Sequence, residues 1–187
     1  MNFELPEQLQ AYLAELDQFI EREIKPLEEQ DDNIRFFDHR REHSRTDWDN
    51  GGIPRHDWEA LLAEARRRAD AAGHYRYAFP KEFGGRDGTN LGMAVIREHL
   101  AAKGLGLHCD LQNEHAIVAN NIGLLLMLHY GSEEQKREWV EPLANGTGFI
   151  AFGITEPKHG SDAAHMETAA VRTAKGWRIN GEMTWNT

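Results

Sequence analysis

The chain has 187 residues, 40% hydrophobic and 28% charged, a globular composition that excludes a fibrous or disordered protein. Its formal charge of −10 disfavours nonspecific binding to nucleic acid or anionic lipid, whose phosphates it would repel. A single cysteine, Cys109, excludes an intrachain disulfide framework, and the longest apolar run, Ile122 to Leu128, is far short of the roughly 20 residues needed to cross a bilayer.

Between Pro6 and Lys25, apolar residues at Leu9, Leu13, Leu16, Phe19, Ile20 and Ile24 recur at helical spacing and predict a helix packing one face on a core. Pro26 is expected to end it. Glu28 to Gly52 reads as a polar connecting segment anchored by Ile34, Phe36, Phe37 and Trp48. A second helix is predicted from about Pro54 to Ala72, with Trp58, Leu61, Leu62, Ala65 and Ala69 inward. Proline suits its first turn, and Gly73 suits the position just past its end. Phe79 to Gly85 is a turn-rich loop. A third helix covers Leu91 to Lys103, before Gly104 and Gly106. A fourth, Asn113 to His129, is apolar on most sides and belongs at the centre of a bundle. Ser132-Glu133-Glu134-Gln135 is a capping box opening a fifth helix to about Asn145, with Trp139, Val140 and Leu143 inward.

After Gly146 the pattern changes. Phe149 to Ile154 is a short apolar run that suits a buried strand. Glu167 to Thr173 is rich in Thr, Ala and Val, Ala174-Lys175-Gly176 reads as a turn, and Trp177-Arg178-Ile179 alternates. Asn180-Gly181 is a strong hairpin signal, after which Met183-Thr184-Trp185 resumes a strand. The expected fold class is mainly α: a helical bundle of about five helices over residues 1–146, then the first strands of an antiparallel β domain over 147–187. The last strand would be left with a raw edge, so the strand domain is expected to be incomplete.

Four stretches are candidates for chemistry. His39-Arg40-Arg41-Glu42-His43 has the spacing of one zinc peptidase class, but it lacks a third ligand and an apolar support, so a solvated charged segment is favoured. His108-Cys109-Asp110 with Glu114 and His115 precedes an apolar helix; one cysteine does not build a closed zinc site, and a buried thiol is favoured over a nucleophile. Phe83 to Gly88 is glycine-rich but lacks the lysine and spacing of a phosphate-binding loop. The informative stretch is Phe152 to Asp162, where a strand delivers Thr155 into a loop with proline, glycine, a hydroxyl and a carboxylate. Backbone N–H groups in such a turn can form an anion-binding concavity, with Ser161 adding a donor, although on composition alone a connecting loop with an Asp-capped turn is favoured.

Gly153-Ile154-Thr155-Glu156-Pro157, then Gly160-Ser161-Asp162, Thr168, Ile179-Asn180-Gly181 and Trp185, resembles the acyl-CoA dehydrogenase family in order and spacing. Pro80 to Gly85 and Gly131 to Lys136 are similar to the family's Pro-Glu-Glu-Tyr-Gly-Gly loop and Gly-Thr-Glu-Glu-Gln-Lys helix start. The resemblance covers most of the chain after about residue 53. It implies an N-terminal helical domain, a middle β-barrel-like domain and a C-terminal four-helix domain. Three departures stand out: Met183 where lysine is usual, Phe152 for a frequent tyrosine, and a longer, more charged Glu28 to Gly52 segment.

The resemblance also implies FAD. Phe152, Ile154 and Thr155 would lie along the flavin ring, Gly160 and Ser161 near the pyrophosphate and the mouth of the acyl-CoA channel. Trp185 would cover the ring face, Thr187 would bond near the flavin N5, and the two apolar helices would wall the acyl tail. The implied reaction is α,β-dehydrogenation of an acyl-CoA thioester to a trans-2-enoyl-CoA, with an electron-transferring flavoprotein as acceptor and a homo-oligomer at full length. The family's catalytic glutamate belongs to the C-terminal helical domain or just before it, so no residue here takes the base role, Glu156 included. The alternative is a noncatalytic binding module or one piece of a split flavoprotein assembly. Met1 to Pro6 shows no secretory pattern, and a cytoplasmic location is expected.

Overall fold

The structure, a computed structural model, describes residues 4–109, 117–119, 122–145, 147–148, 150–151 and 153–185, without the side chains of His39 and Glu42. The chain divides into two compact units, Met1–Gly148 and Phe149–Thr187.

In the first unit the leading apolar stripe becomes α1, Glu7–Phe19, which buries Leu9, Tyr12, Leu16 and Phe19. The chain does not stop at Pro26. A π-helical turn, Ile20–Ile24, leads into α2, Lys25–Glu29. The Lys25 N–H reaches back five residues to the Ile20 carbonyl. The wide turn resets the ladder so that Pro26 falls in a new first turn, where a missing N–H costs nothing. Helical bonding therefore continues past the proline, and Ile20, Ile24 and Leu27 stay in the core.

The polar connector is more ordered than expected. It carries 3-10 turns at Gln30–Phe37, His39–Ser44 and Trp48–Asn50, and the two-residue strands β1, Thr46–Asp47, and β2, Ile53–Pro54, which pair antiparallel. Asp31 and Asp32 sit at φ of +50° and +56°, the left-handed region that aspartate tolerates better than most residues. Of the four expected anchors, only Phe36 is fully buried, against Trp58 at 5.0 Å between ring centroids. Ile34 and Trp48 are exposed.

The second predicted helix is α3, His56–Ala71, and it buries the five inward residues expected of it. Pro54 lies outside it, in β2, because the extended ladder claims that backbone before the helix begins. Gly73 has φ +75° beyond its end, as a left-handed stop requires. The Pro80 loop closes with a short 3-10 turn, and a Cβ on Gly85 would stand 2.0 Å from the Phe79 carbonyl, so only glycine fits. α4 is Asn90–Ala101, capped by the Thr89 hydroxyl on the Gly92 N–H.

The predicted central helix is shorter than expected. α5 runs Ile122–Tyr130, and residues 113–116 and 120–121 lie outside the described residues. Ile117, Val118 and Ala119 are buried but not helical; the Ala119 N–H donates to the Tyr75 carbonyl instead. Leu124 is fully buried, but Ile122 and Leu126 are 49% and 44% exposed, so α5 is not enclosed on all sides within this unit. The capping box forms as expected: the Ser132 hydroxyl accepts from the Gln135 N–H, and the Gln135 side chain accepts from the Ser132 N–H. It opens α6, Glu133–Ala144, which buries Val140 and Leu143 but leaves Trp139 well exposed.

One apolar cluster joins α1, α2, α3 and α4; a second joins Phe79, Leu124, Val140, Leu143 and Ala144. No helix among the described residues is long and apolar enough to cross a membrane.

In the second unit the described residues between 149 and 154 join no ladder, and Ile150 and Ile154 are exposed. A short apolar run becomes a buried strand only when a neighbouring strand pairs with it, and here the adjoining Thr155 carbonyl is taken by Thr184. The hairpin is β3, Ala169–Thr173, with β4, Gly176–Asn180, in register from Ala169↔Asn180 to Thr173↔Gly176. Its turn is at Ala174-Lys175, with Gly176 at φ +126°, as the sequence indicated. Asn180-Gly181 is not a turn: Asn180 closes the ladder, and Gly181 is needed because a Cβ there would lie 2.1 Å from the Thr168 hydroxyl. Nor do Met183 to Trp185 form a strand.

Candidate functional site

The loop from Thr155 to Asp162 is built around one carboxylate. Glu156 is only 5% exposed. Its two oxygens accept from the backbone N–H groups of Glu167, at 2.7 Å, and Thr168, at 2.6 Å. These donors precede β3, so the carboxylate ties the loop to the start of the hairpin. The Thr168 side chain and the two N–H groups hold the carboxyl below the usual carboxylate range, so it stays ionised. The backbone of Glu156 and His159 exchanges two hydrogen bonds of 3.2 Å, which turns the chain at Pro157-Lys158. Lys158 reaches Glu167 at 3.1 Å, and Asp162 contacts the His165 ring at 2.8 Å.

A second tie holds the other edge. The Thr184 N–H donates to the Thr155 carbonyl at 2.8 Å. This places Trp185 next in chain to a residue clamped on Thr155. Trp185 has φ +61° and is 90% exposed, so its indole is available to cover a planar group. Thr155 is half-buried, while Ile154, Gly160 and Ser161 are exposed, and a Cβ on Gly160 would meet nothing within 4 Å. The loop therefore ties Thr155 to Thr184, the residue before Trp185, and carries Gly160 and Ser161 on the same turn-bearing segment. Phe152 and Thr187 lie outside the described residues.

The other candidates fare differently. His39 to Ser44 is 3-10 helical and broken at Arg41, whose φ of −121° and ψ of 46° are not helical. The single α-helical face that the zinc spacing needs does not exist. Asp110, Glu114 and His115 lie outside the described residues; His108 is buried and Cys109 half-buried. No group of three or more metal-ligating side chains occurs among the described residues. Of the Phe83 to Gly88 stretch, expected as a turn, only Gly84 is one; Arg86 and Gly88 donate their N–H groups to the Tyr77 carbonyl and Asp87 to that of Phe79.

The part played by Glu156 in tying the loop was not read from the sequence. An acidic residue before proline, with a Thr-Ala-Ala-Val strand start a dozen residues on, was the available signal. Its carboxylate satisfies the two N–H groups, of Glu167 and Thr168, that precede the first paired residue of β3.

The pattern described as Acyl-CoA dehydrogenase, N-terminal domain, matches residues 6–147. The chain belongs to the acyl-CoA dehydrogenase family. It is 30% identical over its whole length to the protein named "Probable acyl-CoA dehydrogenase YngJ" of Bacillus subtilis (strain 168), and covers 42% of that protein. It is 29% identical to the glutaryl-CoA dehydrogenase of Desulfococcus multivorans, over 99% of this chain and 41% of that one. A solved acyl-CoA dehydrogenase homologue from Mycobacterium abscessus superposes with a TM-score of 0.67 at 26% identity, over 99% of this chain and 43% of that chain. The chain thus spans about two fifths of the length of the relatives it matches.

Proposed function

We propose that this chain supplies the N-terminal helical domain, residues 1–146, and the flavin-facing loop of the middle β domain, from 147, of an FAD-dependent acyl-CoA dehydrogenase. The observation that carries this reading is the clamp of Thr184 on Thr155, with the exposed Trp185 next in chain, in the order the family uses. The residues present fit a flavin in their chemistry. Trp185 offers a planar apolar face, Thr155 and Ser161 offer hydroxyls, and Gly160 leaves room for close approach. Ile154, exposed beside them, adds apolar surface for the ring. The two positions outside the described residues, Phe152 and Thr187, complete the proposed set.

FAD, when bound, supplies a hydride acceptor for α,β-dehydrogenation of an acyl-CoA thioester. The residues of this chain bind and orient: Glu156 holds the loop, Thr155 fixes the edge of the ring, and Trp185 excludes water from its face. The catalytic glutamate is assigned to sequence beyond this chain. The product is a trans-2-enoyl-CoA, the electrons pass to an electron-transferring flavoprotein, and the whole enzyme is a cytoplasmic homo-oligomer. The hairpin supports the same reading. Trp177 and Ile179 stand together on one of its faces, both exposed, and further strands of a β domain would cover them.

The test is an FAD titration of the purified chain followed by flavin and tryptophan fluorescence. Binding is expected to quench Trp185, and a Trp185→Phe variant should lose that quenching. Added butyryl-CoA should leave the flavin's visible band unbleached. A folded chain that leaves FAD fluorescence unchanged would overturn the assignment of this loop, and bleaching by the chain alone would overturn the assignment of the base.

A further inference from the structure

Two glutamates brace the loop that carries Gly160 and Ser161, and they do so in opposite directions. The first tie runs from the loop to the hairpin: the buried Glu156 carboxylate accepts from the Glu167 and Thr168 N–H groups at 2.7 and 2.6 Å. The second runs back. The Glu167 carboxylate lies 3.1 Å from the Lys158 ammonium and 3.6 Å from the His159 Nε2. Lys158 and His159 follow Pro157 in the turn that the two backbone bonds between Glu156 and His159 close. Gly160 is next in chain, so the position of His159 sets where the Gly160-Ser161 segment begins.

The two ties differ in what they need. Glu156 uses backbone donors, and its carboxyl is held below the usual carboxylate range, so the first tie does not change near neutral pH. The second has two cationic partners of different kinds. The Lys158 side chain is 73% exposed on a long flexible stem, and an exposed ammonium pair of this sort holds little. The His159 side chain is only 22% exposed and has a short, stiff stem, so its geometry is the better defined. An imidazole pairs with a carboxylate as a cation only when protonated, and histidine ordinarily changes charge between about pH 5 and 8. The charged groups that face the ring are Glu167, from the segment before β3, and Glu156, from its own loop, with Lys158 as the neighbouring cation. Asp162 and His165, later in the same loop, pair with each other at 2.8 Å. A protonated His159 therefore gives Glu167 a second, well-placed cation, and a neutral one leaves it with the exposed ammonium.

We propose that His159 is a positioning residue whose proton closes the second tie: protonated, it pairs with Glu167 and holds the turn that presents Gly160 and Ser161, and neutral, it lets that turn loosen. The consequence is a flavin affinity that falls as pH rises, and this consequence rests on the flavin reading of the loop; the tie itself does not.

Amide hydrogen exchange and FAD titration of the full chain from about pH 5 to pH 8 test the two parts separately. After correction for the intrinsic pH dependence of exchange, protection of the Glu156 and His159 amides should fall about two- to fivefold across this range, the worth of a partly exposed ion pair. His159→Gln and Glu167→Gln should each flatten that profile, while Lys158→Gln and His165→Gln should keep it. Glu167→Gln leaves its backbone N–H on Glu156, so the first tie survives, and far-ultraviolet circular dichroism checks each variant. The FAD dissociation constant should rise by the same factor in the wild-type chain and stay level in the two flattened variants. Protection that changes with pH in a chain that binds no FAD would uphold the tie and overturn the flavin reading of the loop. Protection that does not change with pH, or that changes equally in His159→Gln, would overturn the proposal, and a level FAD affinity in a chain whose protection changes would overturn its consequence.

Discussion

His74 is the group whose titration should report most directly on the helical unit. It is buried, its Nδ1 lies 3.2 Å from the Tyr12 hydroxyl, and its ring packs on Phe19 at 4.7 Å between centroids. Burial lowers its pKa from 6.5 to about 4, with Glu15 opposing and Arg86 adding to the shift. The native state therefore excludes a proton that the unfolded chain accepts below pH 6.5. Stability from this group is fully present above the unfolded pKa and is lost as pH falls toward the folded one. At 1.36 kcal/mol per unit, acidification from pH 7 to pH 5 should cost about 2 kcal/mol from His74 alone, or nearer 1 where water reaches the ring. In His74→Gln, an uncharged amide can still bond the Tyr12 hydroxyl, and this increment should vanish. Urea unfolding followed by circular dichroism at both pH values measures it. Glu64, held down to about 2 by Arg67 and Arg68, loses stability in the same direction only at lower pH, and it does so equally in both proteins. An unchanged pH dependence in the variant would refute the reasoning and place the imidazole's proton acceptance in the native state.

Leu62→Ala removes a side chain 1% exposed at the centre of α3 and should cost about 2–5 kcal/mol in the same denaturation assay. Ser132→Ala breaks the capping box and should cost about 1 kcal/mol, with faster hydrogen exchange at the Gln135 amide. Gly181→Ala forces a Cβ into Thr168 and should disrupt the base of the hairpin, seen as lost amide protection in β3 and β4; adding Thr168→Gly should restore it. Glu156→Gln keeps the shape but removes the charge, so exchange at the Glu167 and Thr168 amides should quicken while the helical unit is unaffected.

Helix α3 was legible residue by residue, because one face of a long periodic segment leaves few alternatives. The capping box and the left-handed Gly73 were legible for a different reason: each depends on residues next to one another in the chain. Short apolar runs were not. Phe149 to Ile154 has strand composition, yet strand identity depends on a hydrogen-bonded partner that composition does not name. Asn180-Gly181 has the chemistry of a hairpin turn, but in this protein the glycine serves a close approach to Thr168. Of the candidate site, the motif order was readable, while the bonds that assemble it were not. Glu156 reaches residues eleven and twelve positions away, and Thr155 pairs with a residue 29 positions away.

The sequence by itself determined the helical class, the change of pattern near residue 147 and the family, because local periodicity and motif spacing are properties of the chain. Only the tertiary structure decided that helical bonding passes Pro26 and that Trp139 and Ile122 stay exposed. It also gathered Arg35, Arg41 and Arg55 around one concavity. Burial and charge convergence depend on which elements meet in space, and a linear pattern specifies the faces of each element but not their partners.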